Sequence, residues 1–78
     1  MLDVNKLLEL AIKETEYLEN GEAFLVKELF KGYEWNRILR KDRLLLGTLF
    51  LNHINKNIGS IKVIEKTTSG QQKYRKII

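Results

Sequence analysis

A change of hydrophobic rhythm constrains this chain more than any other feature. Across residues 3–19 and 40–56 the apolar residues recur at intervals of three and four, whereas from Ile61 onward they alternate with polar ones. Helices present one face every 3.6 residues and strands every two, so the chain places helices first and a β-hairpin last. The expected class is α+β.

At 78 residues there is room for one domain, taken as residues 1–78. So short a chain buries only about 60 to 65% of its unfolded surface, and dimerisation or a ligand would add stability. With 44% hydrophobic residues it is too apolar for a disordered tail. Cysteine is absent, which excludes disulfides, thiolate metal sites and cysteine nucleophiles and fits a reducing compartment. No basic segment leads into a long apolar one at Met1-Leu2-Asp3-Val4, so neither a signal peptide nor a membrane span is expected. The expected location is the cytoplasm.

Residues 3–19 read as a helix, with Val4, Leu7, Leu8, Ala11, Ile12, Thr15 and Leu18 on one face. Asn20-Gly21 closes it, because Gly takes the left-handed conformation without a Cβ penalty. Ala23 to Val26 then form a brief strand or an extended entry, and Lys27 to Lys31 a helix of one or two turns ending at Gly32. Residues 33–39 form a turn or a second short helical piece anchored by Trp35 and Ile38.

The helix over 40–56 places Leu44, Leu46, Gly47, Phe50, Leu51 and Ile54 toward the core, and Lys41, Thr48, Asn52, Asn55 and Lys56 toward water. Gly47 on the buried side lets another helix approach closely. Leu45 and Leu49 fall at the border, as candidates for contact with a wing, a partner subunit or a ligand. In the hairpin, a loop at Thr68-Ser69-Gly70 with Gly left-handed pairs Glu65 with Lys73, Ile64 with Tyr74 and Ile61 with Ile77.

Two longer helices, a short helix and a C-terminal hairpin wing follow the order of a winged helix-turn-helix. Residues 40–56 are then the recognition helix, since the major groove admits one helix whose first residues reach the base edges. Charge supports this order. Residues 1–39 hold five basic and eight acidic side chains, net −3, whereas residues 40–78 hold nine basic and two acidic, net +7. Such asymmetry turns the second half toward an anionic partner, most often nucleic acid; attraction between the two halves is the alternative.

Arg40, Lys41, Arg43, Lys56, Lys66, Lys73 and Arg75 are the candidate phosphate contacts, alongside Lys62 and Lys76, with an ordinary solvated surface as the plain alternative. Arg43 sits near the core side, where pairing with a carboxylate of the first half competes. Thr48 and Asn52 are candidates for reading bases, because Asn bonds bidentately to adenine. Thr67 to Gln72 suit phosphate or minor-groove contact and are also good turn chemistry. Trp35 and Tyr74 read as core residues; stacking by Tyr33 on bases stays open.

The residues Phe24-Leu25-Val26-Lys27-Glu28-Leu29-Phe30, Gly32, Trp35, Arg43, Leu46-Gly47, Phe50 and Gly70-Gln71-Gln72-Lys73-Tyr74 carry a family likeness. Over most of residues 22–76 the chain resembles uncharacterised small bacterial and phage-encoded proteins, domains of unknown function with a winged-helix look. The resemblance implies the fold and no activity. Leu39 stands where related proteins often place Pro.

Enzyme chemistry is not expected. His53 is the lone histidine, Glu14, Glu16, Glu19, Glu22 and Glu28 read as solvated helix faces, and the five glycines form no phosphate-cradling loop. The sequence reading is therefore a DNA-binding protein and transcriptional regulator, gripping duplex DNA with residues 40–56 and 61–77, with no cofactor. Dimerisation is compatible with it. The alternative is a protein-interaction or dimerisation module that uses Leu45 and Leu49 on the same scaffold without nucleic acid.

Overall fold

A computed structural model describes residues 3–57 and 59–77; Met1, Leu2, Ile58 and Ile78 lie outside it. Its order is α1 (Val4–Glu14), β1 (Ala23–Phe24), α2 (Gly32–Arg37), α3 (Arg40–Lys56), β2 (Ile61–Lys66) and β3 (Gln72–Lys76), with 3-10 turns at Thr15–Tyr17 and Val26–Leu29. The three strands make one antiparallel sheet in the order β1-β3-β2.

Asp3 starts α1 by accepting the Lys6 amide at 2.9 Å. The helix tightens at Thr15, short of the expected span to residue 19, because the Thr15 hydroxyl donates to the Ile12 carbonyl at 2.6 Å. The Lys76 ammonium, only 8% exposed, then donates to the Thr15 carbonyl at 2.9 Å. A residue 61 positions away thus satisfies the helix end. Gly21 follows with φ of 89°, as a left-handed residue should.

Three glutamates then close successive turns from the i+3 position. Glu22, Glu28 and Glu34 accept the amides of Glu19, Leu25 and Lys31 at 2.8, 2.8 and 3.1 Å. Glu22 and Glu28 are therefore more than the solvated residues expected of them. The short piece after β1 is a 3-10 turn, and α2 resolves the ambiguity over residues 33–39.

The core joins α1, α3 and the sheet. Leu7 and Ala11 meet Leu46, Phe50 and Ile54, while Phe24, Phe50 and Tyr74 pack ring against ring. Phe50 and Tyr74 meet edge to face at 5.0 Å, and Phe24 stacks on Tyr74 at 5.6 Å. One ring comes from each of β1, α3 and β3, so this cluster fixes the helix on the sheet.

Three expectations need correction. Leu44 is 63% exposed instead of buried, since the core direction of α3 is set by Leu46, Phe50 and Ile54. At Gly47 an added Cβ would meet nothing within 4 Å, so no helix approaches there; the position opens onto a groove. The hairpin register is as expected only beside the loop, where Lys66 opposes Gln72. A bulge between Val63 and Lys66 shifts the rest by one residue, so Tyr74 opposes Val63 and Ile61 opposes Lys76. That slip keeps Tyr74 facing the core.

Candidate nucleic-acid interface

On α3 the buried row Leu46, Phe50 and Ile54 leaves the opposite arc in water. Lys41, Thr48, Asn52 and Lys56 lie on that arc, Arg40 stands on its flank, and all five are exposed. Leu45 is exposed and Leu49 half-buried, the border positions expected of them. The Thr48 hydroxyl bonds back to the Leu44 carbonyl at 3.3 Å, one helical turn behind.

Between α3 and the hairpin tip runs a groove of about 570 Å³. Arg40, Arg43 and Lys27 stand on its helical side and Lys66 on its hairpin side, with Ser69, Gln71 and Gln72 along the rim. Trp35, Gly47, Leu51 and Tyr74 line its interior. Cations on two walls with amide and hydroxyl groups between them suit a phosphate-bearing chain.

The loop that carries the rim is closed internally. Thr67 donates its amide to the Gln71 carbonyl at 2.8 Å and receives the Gly70 amide at 2.9 Å, while Gly70 holds φ at 87°. Thr67 and Ser69 hydroxyls lie 3.0 Å apart. Gln72 also donates to the Ile64 carbonyl beside the bulge, so side-chain chemistry fills the gap left in the ladder.

Not every candidate cation belongs to this side. Tyr74 faces the core, so its neighbours Lys73 and Arg75 point from the other face of the sheet, with Lys62 opposite Arg75. Lys73 pairs with Glu65 at 3.6 Å, and Arg75 donates to the Gly21 carbonyl at 3.0 Å. A hydrogen bond from its own backbone amide, then the charges of Lys73 and Arg75, hold the Glu65 carboxyl below its ordinary value. Lys76 is turned inward as described.

Among the described residues Arg43 pairs with no carboxylate. It donates to the Ile38 and Asn36 carbonyls at 2.9 and 3.2 Å, and its guanidinium lies over Trp35 at 5.6 Å. Trp35 packs in turn on Phe30 at 5.8 Å and is half-buried. Tyr33 is 54% exposed and carries Arg37 over its ring at 5.0 Å.

His53 is half-buried, with its Nδ1 3.3 Å from the Asn57 amide nitrogen. Among the described residues no group of three or more His, Cys, Asp or Glu is placed to hold a metal ion, and no helix is long and apolar enough to cross a membrane. The sequence reading missed the inward Lys76 and the open groove. Alternation along Gln72, Tyr74 and Lys76 was the available signal for the first.

Residues 9–76 match a family model described as a domain of unknown function, DUF1413. A solved structure described as SCCmec type IV LP1413, a nucleic acids binding protein, superposes with a TM-score of 0.74 at 26% identity, covering 96% of this chain and 87% of that one. The comparison with curated proteins finds no match.

Proposed function

Taking as premise that the chain belongs to the DUF1413 family of domains of unknown function, we propose that it is a nucleic-acid-binding protein and no enzyme. The finer reading is a winged helix that places α3 in the major groove of duplex DNA, lays the hairpin tip along the backbone, and regulates transcription. The observation that carries it is the groove, whose two walls bring Arg40 and Lys66 from separate elements to one opening beside the exposed arc of α3. A cation pair spanning such an opening contacts phosphates at separated points. The similarity to a protein described as binding nucleic acids supports the class of partner.

The element order supports the finer fold reading. β1 lies between α1 and α2, α3 follows a tight turn at Leu39, and the hairpin closes the sheet. In that arrangement Thr48 and Asn52 face the bases and Arg40, Lys41, Lys56 and Lys66 the phosphates. Lys73 and Arg75, on the other sheet face, take no part.

Titration of a labelled duplex at two salt concentrations tests the proposal. Four to six phosphate contacts predict an affinity loss of roughly a hundredfold or more between about 50 and 200 mM salt. Absence of binding to any nucleic acid at low salt sinks the proposal. Tighter binding to a single strand of the same sequence sinks the duplex reading and leaves the groove as a channel for one backbone.

A further inference from the structure

Phosphates and base edges leave part of the α3 surface unexplained. Leu39 and Leu44 are each 63% exposed and Leu45 is 45% exposed. Leu44 and Leu45 follow Arg40 and Lys41 by four residues, so each leucine neighbours a cation one turn away. Tyr33 and Arg37, stacked along α2, lie just before Leu39 in the chain. A major groove offers an exposed leucine little beyond a thymine methyl. This apolar and cationic platform fits a protein surface better.

Symmetric pairing of two platforms would oppose Arg37, Arg40 and Lys41 with their own copies, and like-charge contact disfavours it. The same molecule carries the complement elsewhere. Tyr17 is 74% exposed, the most open of the large apolar residues among those described, and exposed Glu14, Glu16 and Glu19 flank it in the chain. We infer that the Tyr17 corner of one copy docks on the leucine platform at the start of α3 of a second copy. Tyr17 supplies the ring that covers the leucines, and its glutamates meet Arg37, Arg40 and Lys41.

Such a contact joins two different faces, so it propagates from copy to copy until it closes in a ring or continues as an open row. Built on four apolar side chains, it belongs to the weak interfaces that bury under about 1,200 Å² in total. Arg40 and Lys41 also serve the proposed nucleic-acid face, and on that reading alone rests one consequence. A nucleic acid and a second copy exclude each other.

Sedimentation velocity of the full chain without nucleic acid, at tens to hundreds of micromolar, is the test. Association is expected at about 50 mM salt and should weaken about tenfold by 500 mM, where screening reaches contact distance. Glu14→Lys and Lys41→Glu each weaken it, and the two together in one chain restore it. A monomer at every concentration overturns the inference, as does association that neither reversal weakens. Tyr17→Ala also abolishes association but leaves duplex binding unchanged, because Tyr17 does not line the groove and lies outside α3 and the hairpin. Saturating duplex returns the wild-type chain to monomers; association that persists on duplex overturns the shared face. Association sensitive to Glu14→Lys without any nucleic-acid binding would leave the docking in place and remove the function proposed above.

Discussion

Tyr74 gives this fold a pH limit. Burial at 1% exposure pushes its phenol up to about 12, because the charged form would lose its water against Phe24 and Phe50. A folded-state value above the ordinary 10 means that the stabilisation is whole below pH 10 and is lost as pH rises toward 12. Two units correspond to about 2 to 3 kcal/mol. Urea unfolding at pH 8 and pH 11 should therefore show a fall for the wild-type chain that is about 1 to 1.5 kcal/mol larger than the fall for Tyr74→Phe, half of the full amount because pH 11 lies midway between the two values. Equal falls in the two proteins would refute a buried, neutral phenol. Arg43 makes the opposite point, since composition placed it with the phosphate ligands while its donors reach the Asn36 and Ile38 carbonyls. Arg43→Ala should cost about 1.5 to 3 kcal/mol of stability, the range for hydrogen bonds that involve a charged group. Its salt slope of duplex binding should stay within experimental error of wild type, and a slope reduced by a full contact would return Arg43 to the interface. The carbonyl ends that receive Arg43 and Lys76 are not visible in a one-dimensional pattern. Arg43 needed the carbonyl end of α2 to be in place, and Lys76 needed the end of α1.

At the scale of elements, α3 and the hairpin were legible because each repeats its period for several residues. The boundaries Arg40–Lys56, Ile61–Lys66 and Gln72–Lys76 follow that repetition closely. Where the chain bends every few residues, between Thr15 and Leu39, local periodicity has too little length to speak. There the glutamate at i+3 and a distant lysine decide where helices stop. The register shows the same division. Loop chemistry determined the pairing next to Gly70, and the need to bury Tyr74 with Phe24 and Phe50 determined it beyond the bulge. The loop is therefore testable apart from the core. Gly70 holds φ at 87° with open space around its missing Cβ, so Gly70→Ala meets backbone strain and no clash. A loss of about 1 kcal/mol in thermal or urea unfolding is expected, without disruption of the Phe24–Tyr74 packing seen by near-UV dichroism. No loss would mean that the loop does not hold Gly70 left-handed.

Across the whole molecule, the net +7 of residues 40–78 does not form one cationic face. Folding turns Lys76 inward, engages Arg43 with carbonyls, and places Lys62, Lys73 and Arg75 on the sheet face away from α3. What remains is Arg40 and Lys66 at the groove, joined there by Lys27 from the acidic half, with Lys41 and Lys56 on the exposed arc of α3. Charge counted along the chain could not make this division, because alternation in a strand sends neighbouring lysines to opposite sides. Binding measurements can make it. If a duplex meets only the α3 side, removing Lys41 or Lys66 should lower the slope of log affinity against log salt by about 1 each. Removing Lys62 or Lys73 should leave that slope unchanged and shift affinity by less than about threefold, since at 0.1 M salt a charge more than about 10 Å away is largely screened. The four alanine variants compared on one duplex over about 50 to 200 mM salt thus sort the cations by face. Equal slope losses from all four would mean that nucleic acid wraps the sheet as well, and the groove would then be one contact among several.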